Sequence, residues 1–313
     1  MNDRARIALV SAAEALALDE DMPPLLAAFA AAGADAVAVS WDAAGVDWSR
    51  FDLAILRSPW DYVPRLTEFL AWGERVSRQT RLLNSLEVVR WNIDKHYLEH
   101  LAHAGVPVVP TRFIEPGESA AQALEQFLHA RPLRPGAAAA IAHQPQRELV
   151  IKPAIGAGSK DAARYRGHEI DDAIAHAERL IGQGRSAMLQ PYLAHVDKHG
   201  ETAMVYVDGR FSHAIRKGPL LRPGAGLVEG LFAAEDITAR EPGKDEGRIA
   251  KAAFNAIPFP TPLYARIDLV RDATGSPVVL ELELTEPSLF FAHGVGAAER
   301  FATATLARLA SMA

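Results

Sequence analysis

The amino-acid sequence predicts an α/β protein that opens on a small parallel sheet with crossover helices and closes on a charged β-hairpin. Two observations predict this. Short apolar runs at Ile7 to Val10, Ala36 to Val39 and Phe51 to Leu56 alternate with helical segments at Met22 to Ala32, closed by Gly33, and at about Pro64 to Gln79. That alternation is the pattern of strands joined by helical crossovers. Near the C-terminus, Arg266-Ile267-Asp268-Leu269-Val270 leads through a turn at Asp272 to Gly275 into Val278-Val279-Leu280-Glu281-Leu282-Glu283-Leu284. Two apolar runs thus carry one arginine and three carboxylates. A chain of 313 residues is long enough for two or three domains with buried cores.

In a parallel sheet ligands bind beyond the C-terminal strand ends. The loop in that place after the third strand is Arg57-Ser58-Pro59-Trp60-Asp61-Tyr62. Its polar groups suit a small substrate, with Arg57 at the strand end the foremost candidate and Ser58, Trp60 and Tyr62 beside it. A proline-anchored turn with Trp60 packed beneath is the alternative. Asn92 is placed to cap a helix whose apolar positions Tyr97, Leu98 and Leu101 follow helical spacing as far as Gly105. Lys95 then falls in the first turn, where a cation opposes the helix dipole by roughly a few tenths of a kcal/mol. It either meets an anion or is solvated, and on spacing alone the two stand level.

Residues Arg131 to Gln146 are rich in Pro, Ala and Gly and read as a surface loop. A strand from Glu148 to Pro153 carries Lys152, followed by Ala154-Ile155-Gly156-Ala157-Gly158-Ser159-Lys160 and a strand around Ala162 to Tyr165. Neither GxxxxGK[ST] nor GxGxxG occurs there, yet the amides of a Gly/Ser loop can wrap phosphates. A bulged hairpin explains two glycines equally well. A helix from Asp171 to Gln183 precedes Ala187-Met188-Leu189-Gln190-Pro191-Tyr192-Leu193, a strand broken at a proline whose free backbone groups suit an adenine edge. Strands Glu201 to Val207 and Arg210 to Lys217 flank Asp208-Gly209, a tight-hairpin turn. The second delivers Arg216 and Lys217 to a glycine-rich loop, Gly218 to Gly230. Neighbours on a strand face opposite ways, so only one of the two points at a given site.

Charges set among aliphatic residues are rarely buried unpaired, so the C-terminal hairpin calls for a cation. Glu281 and Glu283 share a strand face, and Asp268 on the paired strand can join them. Oxygen-only ligands suit a hard ion, Mg²⁺ or Mn²⁺, of the kind that bridges nucleotide phosphates. A solvated edge hairpin is the alternative.

Composition narrows the field. At 49% hydrophobic and 23% charged residues the chain reads as globular. A net charge of -6 without a basic run argues against a general nucleic-acid binder. The absence of cysteine excludes disulfides, thiolate metal sites and cysteine nucleophiles. No signal-peptide core or membrane-length apolar run is present, and a cytosolic location is expected. His96, His103, His213 and His293 form no HExxH, and no GxSxG nucleophile motif occurs.

The ordered set Lys95, Lys152, Gly156-Ala157-Gly158-Ser159, Gln190-Pro191-Tyr192-Leu193, Glu201, Arg216, Arg266-Ile267-Asp268 and Glu281-Leu282-Glu283 resembles the ATP-grasp superfamily, from about Ser85 to Ser288. The Arg-x-Asp strand followed by Glu-x-Glu-x-x-Glu-Pro is similar to the metal-binding end of glutathione synthetases and D-alanine–D-alanine ligases. Glu283 stands where those enzymes usually carry asparagine. The resemblance implies a pre-ATP-grasp, Rossmann-like domain at 1–90, a lid at 91–186 and a C-terminal metal-binding part at 187–313. It implies Lys95 and Lys152 on the ATP phosphates, with Lys152 also near the adenine ring. Gly156, Gly158 and Ser159 would close over the β- and γ-phosphates. Gln190, Tyr192 and Leu193 would take the adenine edge and Glu201 the ribose. Two Mg²⁺ ions would lie on Asp268, Glu281 and Glu283, with Arg216 at the transferred phosphate and Arg266 at the oxyanion. A homodimer is also implied.

More narrowly, Arg57-Ser58-Pro59-Trp60-Asp61-Tyr62, Asn92-Ile93-Asp94-Lys95, His213-Ala214-Ile215-Arg216-Lys217 and Leu282-Glu283-Leu284-Thr285-Glu286-Pro287-Ser288 resemble the cycloserine synthetase group, which closes O-ureido-D-serine into a ring with ATP. The activity implied is an ATP-dependent carboxylate–amine or amide ligase working through an acyl phosphate on a small amino-acid-like substrate. A small-molecule kinase and a non-catalytic nucleotide-binding module are the alternatives.

Overall fold

A computed structural model describes residues 4–129, 148–221 and 236–312. The Arg131 to Gln146 loop and most of Gly218 to Gly230 lie outside these residues. Strands β1 (Arg6–Ser11), β2 (Asp35–Ser40), β3 (Leu53–Ser58) and β4 (Arg81–Leu83) form the expected parallel sheet in the order β2-β1-β3-β4. Helix α1 (Met22–Ala31) starts with two prolines in its first turn, where no intrahelical N–H is needed, and ends before Gly33 at φ +81°. The second predicted helix begins as a 3₁₀ turn at Val63–Arg65 and becomes α2 at Leu66–Ser77. Alternate residues of β1 serve opposite faces. Ile7 and Leu9 pack with Leu25, Phe29 and Phe301, whereas Ala8 and Val10 join a core of Trp41, Trp48, Phe69 and Trp72.

A second sheet, antiparallel, has the order β5 (Arg112–Ile114), β8 (Ala187–Pro191), β6 (Leu149–Pro153), β7 (Ala163–Tyr165). It is backed by α5 (Ala120–His129) and α6 (Ile170–Gly182). The sequence division at 186 therefore falls one strand early: β8 is hydrogen-bonded between β5 and β6, so this unit runs to Pro191. His176 lies on the buried face of α6, accepts or donates at Nδ1 with the Tyr165 hydroxyl at 2.9 Å, and leaves Nε2 buried without a partner. Burial, reinforced by Arg179, pushes its pKa down from 6.5 to about 4. A depressed folded pKa makes the stability contribution complete above the unfolded value and lost as pH falls through 6.5 toward 4. The urea midpoint of the protein should accordingly drop more over that interval than that of His176→Gln.

The third sheet, also antiparallel, has the order β11 (Ile237–Ala239), β10 (Arg210–Lys217), β9 (Glu201–Val207), β12 (Tyr264–Arg271), β13 (Pro277–Glu283). The β9–β10 turn at Asp208-Gly209 has φ of 48° and 75°, the left-handed pair that the dipeptide predicts. One face of this sheet, with Tyr206, Ala265, Ile267 and Leu269, packs on α8 (Lys244–Asn255) through Ala250, Ala253 and Phe254. The opposite face is divided along its length. Val205, Val207 and Tyr264 join α9 (Ala297–Ser311) and the parallel sheet. Arg266 and Asp268 follow Tyr264 at alternate positions on the same face and extend it as a charged surface. That change of character along one strand face creates the site.

Two short helices, α3 (Leu86–Asn92) and α4 (Tyr97–His103), connect the first sheet to the rest. Asn92 is the last residue of α3 and caps nothing; the capping expectation is corrected by its partners. Its amide donates to Leu282 O at 2.7 Å and its oxygen accepts from Leu284 N at 2.6 Å and Thr285 Oγ1 at 3.3 Å. The outer edge of β13 is satisfied throughout by such contacts. Val279 exchanges backbone bonds with Pro107 and Val109, Leu282 N donates to the Tyr97 hydroxyl, and Asn84 donates to Leu284 O. These bonds fix the height of Glu281 and Glu283 from outside the sheet. Asn92→Ala leaves a buried N–H and C=O unpaired and is expected to lower unfolding free energy by about 2–4 kcal/mol in urea titration, at ~1–3 kcal/mol per orphaned group.

Candidate active site

A cavity of about 530 Å³ lies between the second and third sheets and reaches the loop ends of the first. It collects Lys95, Lys152, Gly156, Gly158, Ser159, Gln190, Tyr192, Leu193, Glu201, Arg266, Asp268, Glu281 and Glu283, together with Trp60 and Tyr62. The three hairpin acids line this one cavity. Asp268 stands opposite Glu281 and Arg266 opposite Glu283, with a bulge at the Asp268–Leu269 step where Leu280 is the extra residue.

Each acid faces a cation from another position. Glu281 receives Lys152 Nζ at 2.6 Å. Asp268, 1% exposed, receives Arg266 through Nε and Nη2 at 2.9 Å each and Lys217 Nζ at 2.7 Å. Glu283 pairs with Arg266. Burial opposes ionisation of Asp268, but the Arg266 guanidinium and Lys217 hold its carboxyl below the usual range. Burial likewise opposes Glu281, and Lys152 and Lys95 hold it well below. At Glu283 burial prevails over Arg266, helped by Asp268 and Glu281, and the carboxyl rises to about 7. Burial also lifts Glu286 to about 7 against a hydrogen bond from Tyr62. Both acids hold protons near neutrality chiefly because burial disfavours their charged forms.

Among the described residues no three His, Cys, Asp or Glu side chains converge as a ready-made ion cluster. Lys152, Lys217 and Arg266 stand on the acids instead. The donor set of the hairpin acids still fits a hard divalent ion, being all oxygen.

The glycine loop is tied down at both ends. Lys95 precedes α4 rather than lying in its first turn; its N–H donates to Ala154 O at 3.0 Å and its Nζ to Gly156 O at 2.9 Å. Gly158 and Ser159 have φ of 63° and 61°, and Asp161 at 60° anchors the far end through Arg179 at 2.9 Å and Arg185 at 2.7 Å. A Cβ on Gly156 would sit 3.0 Å from the Pro153 side chain, a crowded contact that glycine avoids. On the opposite wall, Gln190 donates to Thr111 Oγ1 at 2.9 Å, and the Tyr192 ring lies under the Arg164 guanidinium at 3.3 Å.

Three expectations are corrected. Arg216 does not enter the cavity: its Nε donates to His199 O at 3.0 Å and Nη1 reaches Asp236 at 3.5 Å on the other side of the sheet. Lys217 is the residue that points inward, between Asp268 and Glu201 at 3.0 Å. Arg57 and Ser58 are buried behind the cavity wall. Ser58 Oγ pairs with Ser11 Oγ at 2.7 Å. Arg57, 0% exposed, sits 5.9 Å from the rings of Tyr264 and Phe291 and donates to Pro287 O at 3.2 Å and Asp21 at 3.4 Å.

Asp21 in turn accepts the backbone N–H groups of Leu289, Phe290 and Phe291 at 2.5, 3.0 and 2.7 Å. Phe290 adopts φ 51°, a strained conformation held by those bonds. Asp21 and Asn84 are residues that sequence reasoning missed; neither carries a local signal, because each acts across the fold. Lys217, Asn92 and Glu286 are in view in the sequence, but not in the roles found here.

Comparison with known proteins agrees with this geometry. Residues 7–84 match the family described as D-cycloserine synthetase DcsG, N-terminal domain. Over 308 residues the chain is 44% identical to the cycloserine biosynthesis protein DcsG of Streptomyces lavendulae, covering 97% of this chain and 98% of that protein. The crystal structure of D-cycloserine synthetase DcsG superposes with a TM-score of 0.87 at 42% identity, covering 97% of this chain and 100% of that one. A D-alanine–D-alanine ligase from Bacillus anthracis, with a TM-score of 0.65 at 13% identity and 98% coverage of both chains, shares the fold.

Proposed function

The chain belongs to the D-cycloserine synthetase family of ATP-grasp ligases, and on that premise we propose that it closes an O-ureido-D-serine-like amino acid into a ring, with release of ADP and phosphate. The observation that carries this is the convergence of Lys152, Lys217 and Arg266 on the acids of one β-hairpin, with Lys95 in the same cavity. Phosphoryl transfer asks little covalent chemistry of a protein and much charge neutralisation and alignment.

Lys95 and Lys152 hold the ATP phosphates, and the amides of Gly156, Gly158 and Ser159 close over their β and γ groups. Gln190 with the backbone of Tyr192 and Leu193 takes the adenine edge, and Glu201 the ribose hydroxyls. Asp268, Glu281 and Glu283 would hold Mg²⁺, which would supply alignment and charge neutralisation to the phosphates. Lys217 takes the part that the sequence assigned to Arg216, beside the transferred phosphoryl group. Arg266, fixed by Asp268 and by Ser288 O at 3.0 Å, faces the oxyanion formed when the internal nitrogen attacks the acyl phosphate.

Trp60 and Tyr62 wall the amino-acid end. Arg57 acts indirectly, by holding Asp21 against the 288–291 loop. The glycine loop keeps water from the acyl phosphate. We assign three units, to about residue 90, from there to Pro191, and the remainder, working as a homodimer. No helix among the described residues is long and apolar enough to cross a membrane.

The test is ADP release with O-ureido-D-serine, ATP and Mg²⁺, with mass spectrometry of the product. A ring-closed product with free phosphate supports the ligase. A stable phosphorylated amino acid would make it a kinase, and no substrate-dependent ADP release would refute the assignment.

A further inference from the structure

The cavity has two ends of opposite electrostatic character. At the hairpin end every acid faces a cation: Glu281 with Lys152, Asp268 with Lys217 and Arg266, Glu201 with Lys217, Glu283 with Arg266. At the other end, under the loop that follows β13, the wall is made by Trp60, Tyr62, Phe290, Asp19 and Glu286. There the pattern breaks. Among the described residues Glu286 makes no ion pair; the Tyr62 hydroxyl, Lys95 and Arg266 are the groups whose proximity favours its charged form.

Its backbone is fixed as well, because Trp60 Nε1 donates to Glu286 O at 3.0 Å. Asp19 is a second, independent case. It is 5% exposed, its Oδ1 accepts the Asp21 amide at 3.0 Å, and its Oδ2 has no hydrogen-bond partner. Glu286 has Lys95 and Arg266 within electrostatic reach but pairs directly with neither, and Asp19 Oδ2 has no hydrogen-bond partner, which leaves both carboxylates open to a cationic group of a bound ligand.

The distance between the two ends suits a small amino acid. Arg266 donates to Ser288 O, and its guanidinium lies 5.6 Å from the Phe290 ring, so residues 288–290 wall the cavity between Arg266 and Glu286. Glu286 follows Glu283 by three residues, which can span at most ~10 Å. A substrate whose carboxylate lies at Arg266 therefore presents its other polar groups to Glu286.

We propose that Glu286 is the specificity residue that receives the α-ammonium group of the amino-acid substrate, oriented by Tyr62 and reinforced by the field of Asp19. The assignment rests on the ligase reading above. Ring closure joins the carboxyl carbon to the nitrogen bonded to the side-chain oxygen as phosphate leaves the carboxyl carbon and the nitrogen gives up its proton; the carbamoyl group stays on that nitrogen through this step, and the α-ammonium is neither made nor broken. Glu286 thus governs binding and leaves the chemical step alone.

The experiment is titration calorimetry of O-ureido-D-serine and of 3-(ureidooxy)propanoate, which lacks the ammonium, in the presence of a non-hydrolysable ATP analogue and Mg²⁺. It is run on the wild type, Glu286→Gln and Tyr62→Phe, with steady-state kinetics in parallel. Glu286→Gln should weaken O-ureido-D-serine roughly ten- to a hundredfold, the range of a charge-assisted hydrogen bond, and should leave binding of the ATP analogue unchanged. The wild type should discriminate against the ammonium-free ligand by a similar factor, and that discrimination should vanish in Glu286→Gln. Tyr62→Phe should show a smaller loss of the same kind.

Equal loss for both ligands would overturn the proposal, as would a wild type indifferent to the ammonium. A fall in kcat at unchanged affinity would overturn it too, and would make Glu286 a base toward the attacking nitrogen. Because binding is read without turnover, absence of ADP release would refute the ligase assignment separately.

Discussion

Glu283→Ala is expected to lower kcat with O-ureido-D-serine by on the order of 10²–10³ while leaving the protein folded. Burial, with Asp268 and Glu281 beside it, resists ionisation of this carboxyl and lifts its pKa to about 7. Removing it relieves its repulsion with those acids. Arg266 keeps both hydrogen bonds to Asp268 and the one to Ser288 O, so no buried cation is orphaned. What is lost is an oxygen ligand between the phosphates, and metal-borne charge stabilisation is worth several kcal/mol at about 1.4 kcal/mol per tenfold in rate. Thermal unfolding should therefore stay within about 2 °C of the wild type, a shift below ~1 kcal/mol for a chain of this size. Activity unchanged at saturating Mg²⁺ would remove Glu283 from the ion site.

The second large effect separates two neighbours. Lys217→Met should cost on the order of 10²–10³ in kcat, the usual loss when one donor to developing charge is removed, whereas Arg216→Met should stay within about tenfold of the wild type. Lys217 bridges Asp268 and Glu201 inside the cavity, and Arg216 binds His199 O on the far side. Lys217→Met also leaves Glu201 without its partner, so a loss of about 3 kcal/mol in stability should accompany the kinetic defect. The opposite ranking of the two variants would return the phosphoryl-facing role to Arg216.

That pair also shows where the sequence stops being legible. Counting back from the Asp208-Gly209 turn, an unbroken hairpin sets Arg216 opposite Glu201. The register shifts between Phe211 and His213, so that Ser212 is the extra residue and Lys217 takes the place opposite Glu201. A bulge of one residue exchanges the two faces of everything beyond it. Nothing local marks Ser212. By contrast, the acids of the last hairpin were legible because burial of charge among aliphatic residues is itself a signal, and their partners only needed to exist somewhere in the fold.

Asn92 and Arg57 failed for a related reason. Asn92 has the chemistry of a helix cap, and the same amide serves a strand edge 190 residues away. Arg57 stands at the C-terminal strand end, as the topology of a parallel sheet requires, yet its side chain turns beneath the wall to reach Asp21 and Pro287. Position along the strand was readable and direction was not. The strand and helix alternation, the Gly33 stop and the type of the Asp208-Gly209 turn depend only on nearby residues, and all three are found as expected.

The same ion pairs give the site a built-in exchange of partners. Lys152 and Lys217 stand on Glu281 and Asp268; ions held by those acids would release the lysines toward phosphates. Binding of Mg²⁺ and of nucleotide must then favour one another, and by linkage they do so reciprocally. The direct measurement is the Kd of a non-hydrolysable ATP analogue, by calorimetry, with Mg²⁺ and with EDTA, for the wild type and Glu281→Gln. Ion sites on the hairpin acids predict at least about tenfold tighter binding with Mg²⁺, a coupling of ~1.4 kcal/mol, and loss of most of that gain in Glu281→Gln. Equal affinity with and without Mg²⁺ in the wild type, or a gain that survives the substitution intact, would contradict it.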